Sequence, residues 1–311
     1  GYNRKPTIGQ ALDKWFALVA NGCEPTSIIS LKGYVKRWKV MDDVLTADMP
    51  VDVLTANKLE DVFNWYVKLP GEKSSKRKPW MHFKGFVSHL AQKDLIPLPK
   101  NINDRLLSFK VVITSKKAPD VPKILSFLGT LPDRFKLYAL LAMNTSMNNV
   151  DIGMLEPTQV DWQNGILTRK RVKTGNYDSV PLVMYKLWKE TLRLLKQEKS
   201  DTGNHLLTDR NGKPLYLSAI KDGNAYFYDK IKSRWRDHFK NDKTKKLFTL
   251  RQFRFFGTDL LKKTPFRTYR QAFLGHSPGS VLEKSYQSDE DVTAACEYLE
   301  DLIFGKGTTN S

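Results

Sequence analysis

The amino-acid sequence predicts a mainly α-helical protein with one small antiparallel β-sheet, divided into two domains. Apolar residues recur at helical spacing through most of the chain, and one short alternating stretch surrounds an Asn-Gly turn. The length of 311 residues is comfortable for two domains, and 41% hydrophobic residues suffice for real cores. Because no apolar run approaches the roughly 20 residues that cross a bilayer, we predict no membrane span.

Four short amphipathic helices are predicted in the first hundred residues. The first begins after Thr7, because Thr7 and Gln10 form a capping-box pattern. The second spans about 27–40, the third follows Thr55, and the fourth spans about 79–92. Each helix has one apolar stripe that it cannot bury alone, so we expect a small bundle.

A change in composition predicts the domain boundary near residues 112–120. Prolines and small polar residues gather at this point, as they do in linkers. We therefore predict a helical domain over residues 1–112, a linker over 113–119 and a second domain over 120–311.

The second domain is predicted to begin with a buried helix and a hairpin. Residues 135–143 are almost wholly apolar. Residues 159–162 and 166–168 flank an Asn164-Gly165 turn, whose glycine tolerates the positive φ that a tight turn needs, and a third strand is predicted at 179–182. Helices are predicted after these strands at about 184–197, 225–240, 250–262, 268–275 and 290–304.

The net charge of +18 comes from both halves of the chain. Residues 1–115 contain 18 Lys and Arg against 11 Asp and Glu, and the remaining residues contain 33 against 22. The halves therefore carry +7 and +11. A polyanionic partner fits this balance, although a basic surface kept for solubility fits it too. No helix pairs a basic face with a large apolar one, so association with a membrane surface is disfavoured.

The two cysteines, Cys23 and Cys296, lie far apart and form no CxxC pair. This usage disfavours a disulfide framework or a zinc site and is typical of a reducing compartment. We therefore predict a cytoplasmic protein.

Three segments of the second domain carry polar residues in an order and spacing that resemble the tyrosine recombinases, the phage-integrase family. The segments are Thr145 to Leu155; Lys173-Thr174-Gly175 with Val180-Pro181-Leu182; and Arg254 to Leu261 with Leu274-Gly275-His276-Ser277 and Tyr286. Leu-Gly-His-Ser with a tyrosine ten residues after the histidine is the most specific match. The resemblance covers essentially the whole second domain.

The resemblance implies a fold, an activity and partners. The first domain would be the helical core-binding domain, and the second would be the catalytic domain. The activity would be recombination or integration of double-stranded DNA for a mobile element, through a 3′-phosphotyrosine and without metal or other cofactor. The protein would work at the nucleoid and assemble as a dimer or tetramer on DNA.

Five side chains receive catalytic roles from the resemblance. Tyr286 matches the nucleophile, His276 a donor to the phosphate, and Lys173 the lysine that protonates the leaving oxygen. Arg254 matches the second catalytic arginine, and Arg251 stands where His or Lys is usual. A second register, with Arg251 as the arginine and Phe248 in place of the histidine, stays open. We prefer the first, because it keeps a cation at both positions.

The chain departs from the family at two positions. Asn148 stands where the first catalytic arginine is expected, and Ser146 replaces a glycine. A neutral amide cannot form a charged bidentate clamp, and losing one such donor typically slows a reaction by about 10²–10³-fold. A relative that binds DNA or partner recombinases without cutting therefore stays open. A basic protein that binds RNA or acts architecturally is a third alternative.

Further basic residues are predicted to contact DNA. Side chains alternate along a strand, so Arg169, Arg171 and Lys173 would share one face and Lys170 would point to the other. We hypothesise that Arg171 supplies part of the charge missing at Asn148; ordinary contacts to the phosphate backbone are the alternative. In the first domain the expected contacts are Lys36, Arg37, Lys76, Arg77 and Lys78.

An apolar stripe follows Tyr286 near the end of the chain. Two interpretations stay open: docking on a neighbouring protomer, which would serve self-association on DNA, or packing on its own core. The stripe consists of Val292, Ala295, Cys296, Leu299, Leu302 and Ile303.

Overall fold

The computed structural model describes residues 5–111, 120–173, 175, 180–201, 203–240, 248–276 and 290–305. The chain divides into two compact units, residues 1–115 with 218–227 and residues 116–217 with 228–311. The predicted linker at 113–119 lies outside the described residues. Across the described ranges, no helix is both long and apolar enough to cross a membrane.

The first unit is built on four helices around an aromatic core. Thr7 caps the first helix as predicted: Gln10 N donates to Thr7 Oγ1 (3.3 Å) and Thr7 N donates to Gln10 Oε1 (3.0 Å). The indole nitrogen of Trp38 donates to the Tyr66 hydroxyl (2.6 Å), which satisfies two buried polar groups. The elements are α1 (Ile8–Ala20), α2 (Pro25–Trp38), the antiparallel pair β1 (Val40–Met41) and β2 (Leu45–Thr46), α3 (Ala56–Lys68) and α4 (Lys73–Gln92).

Two helix starts differ from the prediction. Helix α2 begins at Pro25, because proline is favourable in the first turn, where its missing N–H would have no helical partner. Helix α4 begins at Lys73 and contains Pro79 in its interior. The lost backbone hydrogen bond is offset by the burial of Pro79 and Trp80 in the bundle.

The second unit surrounds a buried helix, as predicted. Its first elements are α5 (Val121–Gly129), α6 (Asp133–Asn144) and α7 (Asn149–Gly153). A four-stranded sheet follows in the order β3 (Val160–Asp161), β4 (Ile166–Arg169), β5 (Val183–Lys186) and β8 (Glu290–Asp291). The remaining elements of this unit are α8 (Lys189–Glu198), α9 (Lys230–His238), α10 (Leu250–Leu261), α11 (Arg270–Phe273) and α12 (Thr293–Phe304). The strands β6 (Tyr216–Lys221) and β7 (Asn224–Asp229) lie between α8 and α9 in the chain, and their residues 218–227 belong to the first unit.

The sheets contain more than the predicted small antiparallel sheet. Strands β3, β4 and β5 are antiparallel, but β8 joins β5 in parallel, and β6 pairs with β7 in a separate hairpin. The third strand is at Val183–Lys186, so the helix predicted from 184 begins at Lys189. The helix predicted from 225 is preceded by β7, because Asp222 and Gly223 adopt the positive φ angles of a hairpin turn.

Helix α12 packs most of its apolar stripe on the core of its own unit. Ala295, Cys296, Leu299 and Ile303 are buried there. The indole nitrogen of Trp188 donates to the Cys296 carbonyl (2.8 Å). Among the described residues of the stripe, only Leu302 is exposed.

Helix α10 lies directly against α6 at Gly257. A Cβ at this position would overlap the carbonyl oxygen of Met143. This contact brings the first turns of α10 beside the end of α6, where several of the predicted site residues lie.

We expect Gly257→Ala to lower the free energy of unfolding by about 1–3 kcal/mol, because backbone atoms must move to admit the methyl group. Denaturant unfolding measures the change. Gly85→Ala is the matched control: a Cβ on this exposed glycine of α4 meets no atom within 4 Å, so alanine is expected to stabilise by up to about 1 kcal/mol. Equal effects of the two substitutions would contradict the close helix contact.

Candidate active site

Backbone carbonyls fix the guanidinium of Arg254 in the second turn of α10. Its Nε donates to the Ser146 carbonyl (2.7 Å) and its Nη2 to the Leu274 carbonyl (3.1 Å). The side chain is only 8% exposed. Its Nη1 makes no hydrogen bond to any residue in the described ranges. Arg254 therefore joins the end of α6 to the Leu274-Gly275-His276 turn and keeps donor capacity for a ligand.

The chain between α6 and α7 takes a left-handed turn at Ser146, whose φ is +52°. This conformation is the reason that a glycine suits the position, because a Cβ makes it unfavourable. The Ser146 carbonyl points to Arg254, and its hydroxyl lies 3.3 Å from Arg254 Nε. The replacement of glycine thus keeps the turn and adds a polar contact.

Asn148 is the N-cap of α7. Its side-chain oxygen accepts from the backbone nitrogens of Val150 (2.8 Å) and Asp151 (3.2 Å). The residue at the expected arginine position therefore serves the start of its own helix.

Asp151 is a buried carboxylate that joins α7 to the chain after β4. Its Oδ2 accepts from Asn148 N (3.0 Å), and its Oδ1 accepts from Val172 N (2.9 Å). The carboxylate also lies 3.7 Å from Arg169 Nη1. Sequence reasoning assigned Asp151 no role, although Asn148 and Asp151 have the spacing of a capping box.

Arg169 is buried, so the prediction that it contacts DNA is wrong. Its side chain is 2% exposed, its Nη2 donates to the Thr145 carbonyl (2.9 Å), and its guanidinium lies 5.3 Å from the centre of the Tyr185 ring. Strand β4 ends at Arg169, so the strand alternation expected as far as Lys173 does not hold. Lys170 and Lys173 are exposed, whereas Arg171 is half-buried.

Arg171 lies against the turn that precedes His276. Gly275 adopts a φ of +62°, and a Cβ on it would lie 3.4 Å from Arg171 Cβ and 4.0 Å from Arg169 Nη1. The Nε of Arg171 is buried and has no hydrogen-bond partner among the described residues. The structure therefore brings Arg171 to the same turn that Arg254 holds.

Burial and the proximity of these groups lower the pKa values of Arg254 and His276. Burial, and then the charge of Arg171, lower the pKa of Arg254 to about 10, so Arg254 remains charged at neutral pH. Burial, followed by the charges of Arg171 and Arg254, lowers the pKa of His276 from its ordinary 6.5. His276 is therefore mostly neutral at pH 7, and its Nδ1 lies 3.2 Å from Gln271 Oε1.

The cluster has an excess of positive charge. Three guanidinium groups (Arg169, Arg171 and Arg254) face one carboxylate (Asp151) among the described residues, which leaves +2 beside the neutral His276. Concentrated positive charge with unoccupied N–H donors is suited to binding a phosphate group. In the same ranges, no three His, Cys, Asp or Glu side chains are placed to hold a metal ion.

Tyr185 is a buried tyrosine beside the cluster that sequence reasoning did not identify. Its hydroxyl donates to the Phe273 carbonyl (3.0 Å), and burial raises its pKa to about 12. A protonated, hydrogen-bonded phenol of this kind positions the turn and is a poor nucleophile. No local sequence signal distinguishes it from other strand tyrosines.

Three predicted catalytic residues are not part of the described cluster. Lys173 is exposed, two residues after Arg171. Arg251 is exposed, and its guanidinium lies 5.4 Å from the Phe255 ring centre. Of the two register choices, the structure places Arg254, and not Arg251, in the buried cluster. Tyr286 and Ser277 lie outside the described residues.

The basic residues of the first unit fall into two groups. Lys36, Arg37, Arg77 and Lys78 are exposed. Lys76 is buried and donates to the carbonyls of Val67 (3.0 Å) and Leu69 near the end of α3. The prediction that Lys76 contacts DNA is therefore wrong, because its ammonium group caps a helix.

The architecture is the tyrosine-recombinase fold found in DNA integrases. A lambda integrase dimer bound to a COC′ core site has a TM-score of 0.65 at 16% identity, covering 98% of this chain and 79% of that chain. A lambda integrase tetramer bound to a Holliday junction has a TM-score of 0.67 at 18% identity, covering 90% and 80%. The Tn1549 transposon integrase in complex with a circular intermediate DNA has a TM-score of 0.61 at 14% identity, covering 96% and 100%.

The comparison of sequences gives no match for this chain, in contrast to the comparison of structures. No protein-family profile and no curated protein sequence matches the chain. At identities of 14–18% the structural likeness defines the fold. It agrees with the fold that the sequence resemblance predicted.

Proposed function

We propose that this protein is a site-specific DNA recombinase that cuts and rejoins double-stranded DNA through a 3′-phosphotyrosine. The observation that carries the proposal is the buried positive cluster around Arg254, Arg171 and His276, where arginine donors have no partner among the described residues. Fixed cations of this kind stabilise the extra negative charge that a phosphodiester gains as it is attacked. Lambda and Tn1549 integrases, which share the fold, are seen bound to DNA.

The proposed cleavage step uses residues of this chain and one phosphodiester. The hydroxyl oxygen of Tyr286 forms a bond to phosphorus and gives its proton to water, while the bond from phosphorus to the 5′ oxygen breaks. The Lys173 ammonium protonates that oxygen, and Arg254 and His276 contact the non-bridging oxygens. A 5′-hydroxyl from another strand then attacks the phosphotyrosine and reverses the step, so no oxidant, nucleotide or metal is consumed.

The proposed partners are double-stranded DNA and further copies of the chain. Exposed Lys36, Arg37, Arg77 and Lys78 would contact the phosphate backbone, as would Lys170 in the second unit. The lambda integrase dimer and tetramer on DNA support self-association on DNA. We also propose that the protein acts at the nucleoid, as the sequence resemblance implied.

We expect duplex affinity to fall steeply with salt, because bound lysines and arginines displace condensed counterions. Removing both Lys36 and Arg37 by substitution with alanine should reduce the slope of log affinity against log salt by about 1.8, or 0.9 for each phosphate contact. Titration of a labelled duplex at several salt concentrations measures this slope. Single-stranded DNA and RNA of the same sequence are the comparison ligands. Salt-insensitive binding, or a preference for RNA, would contradict the proposal.

A second function is favoured by one observation. Asn148 caps its own helix and brings no charge to the cluster, which fits a relative that binds recombination sites without cutting them. Of the two functions, only DNA cleavage would form a covalent protein–DNA adduct. Incubation with a nicked duplex carrying the repeats that flank the gene should give a protein–DNA adduct that survives denaturation. Tight binding of this duplex without an adduct would favour the second function.

A further inference from the structure

We infer that Arg171 binds the scissile phosphate and supplies the guanidinium that the chain lacks at Asn148. The inference rests on the proposed function and assigns one further catalytic residue to it. On this inference, the positive charge expected at position 148, at the start of α7, is supplied instead by the segment after β4.

Asn148 itself cannot supply the missing interaction. Its side-chain oxygen is held by the backbone nitrogens of Val150 and Asp151. A neutral amide also carries no charge to balance a developing phosphorane. A substitute must therefore come from another part of the chain.

One buried carboxylate brings the two positions together. Asp151 accepts hydrogen bonds from the backbone nitrogen of Asn148 (3.0 Å) and from that of Val172 (2.9 Å), the residue after Arg171. Both chain segments therefore lie within one hydrogen bond of the same group. An arginine side chain is long enough to extend from the Arg171 backbone to the space beside residue 148.

Close backbone packing limits where the Arg171 side chain can lie. A Cβ on Gly275 would be 3.4 Å from Arg171 Cβ, and a Cβ on Gly175 would be 2.9 Å from the Arg171 carbonyl oxygen. The first glycine belongs to the His276 turn and the second to the Lys173 loop. Arg171 thus lies between the segments that carry two of the predicted catalytic groups.

Arg171 is the guanidinium in the cluster whose described contacts are fewest. Arg169 also has two buried nitrogens, Nε and Nη1, without a hydrogen-bond partner among the described residues, but it is only 2% exposed, its Nη2 is held by the Thr145 carbonyl and its Nη1 lies 3.7 Å from Asp151. Arg254 is held by two carbonyls. Arg171 has a buried Nε without a hydrogen-bond partner among the described residues. Beside two other arginines, an unsatisfied guanidinium is unfavourable until an anion binds. A phosphate would satisfy it.

The first test measures the rate of adduct formation at saturating nicked duplex carrying the flanking repeats. We expect Arg171→Ala to lower this rate by at least about tenfold, and Arg171→Lys to lower it less because the charge remains. Arg210→Ala removes the same charge from an exposed turn and is expected to cleave at the wild-type rate. Thermal unfolding and duplex affinity are measured for each variant, and Arg171→Lys keeps the test valid if the alanine variant does not fold.

The second test restores an arginine at position 148. In the Asn148→Arg background, the fold-loss in the rate of adduct formation caused by Arg171→Ala should be several times smaller than in the wild-type background. The reason is that the effects of two groups with the same role are not additive. A merely structural role for Arg171 predicts equal losses in both backgrounds.

Each outcome decides the inference. It is overturned if Arg171→Ala behaves like Arg210→Ala, or if its loss is the same with asparagine and with arginine at position 148. If the wild-type chain forms no adduct, the proposed function fails and the inference fails with it. If the wild-type chain forms the adduct and Arg171→Ala does not slow it, the inference fails and the proposed function stands.

Discussion

Tyr286→Phe is expected to abolish the covalent protein–DNA adduct while duplex affinity changes by no more than a few-fold. The substitution removes one hydroxyl oxygen, which is the proposed nucleophile, whereas we expect duplex affinity to come from many cations spread over both units. Denaturing electrophoresis of the protein with a labelled nicked duplex measures the adduct. Affinity is measured on the same duplex at the same salt concentration.

Tyr298→Phe is the matched control for this experiment. Tyr298 is 42% exposed on α12, so its hydroxyl can be lost without opening the core. We expect this variant to form adduct at the wild-type rate. An undiminished adduct in Tyr286→Phe would remove Tyr286 from its role.

Arg254→Lys is expected to slow adduct formation at saturating duplex by about 10²–10³-fold. A guanidinium can donate to the Ser146 and Leu274 carbonyls and still present Nη1 to a phosphate. A lysine has one compact ammonium group and cannot span these acceptors. Single-turnover cleavage measures the loss, and thermal unfolding separates it from a loss of fold.

The same experiment decides between the two registers of the arginine motif. Arg251→Lys preserves charge at an exposed position, where the guanidinium stacks over Phe255. A larger loss in Arg251→Lys than in Arg254→Lys would assign the catalytic role to Arg251 and contradict the site described above.

Local signals predicted much of the fold. The capping box at Thr7, the apolar run of α6 and the Asn164-Gly165 turn each act over a few residues, and all three are present in the structure. The Asp222-Gly223 turn is an equally local signal, and it would have predicted the β6–β7 hairpin. The parallel pairing of β8 with β5 joins residues over a hundred positions apart, so no local pattern predicts it.

The identity of several candidate site residues could be predicted from the sequence better than their arrangement in space. Of the motif residues, Arg254 donates to the Leu274 carbonyl, two residues before His276. Strand alternation gave the wrong surroundings for Arg169, because β4 ends there and Asp151 draws the following backbone towards α7. The burial of Arg169 and the position of Arg171 depend on this long-range contact.

The most direct test of the central claim is to identify the residue of the wild-type chain that becomes linked to DNA. The protein is incubated with the nicked duplex that carries the flanking repeats, the adduct is digested, and the DNA-linked peptide is sequenced by tandem mass spectrometry. We predict a single modified peptide that contains Tyr286, joined to a 3′-phosphate. No adduct at saturating duplex, or an adduct at a different residue, would contradict the claim that this chain cuts DNA through Tyr286.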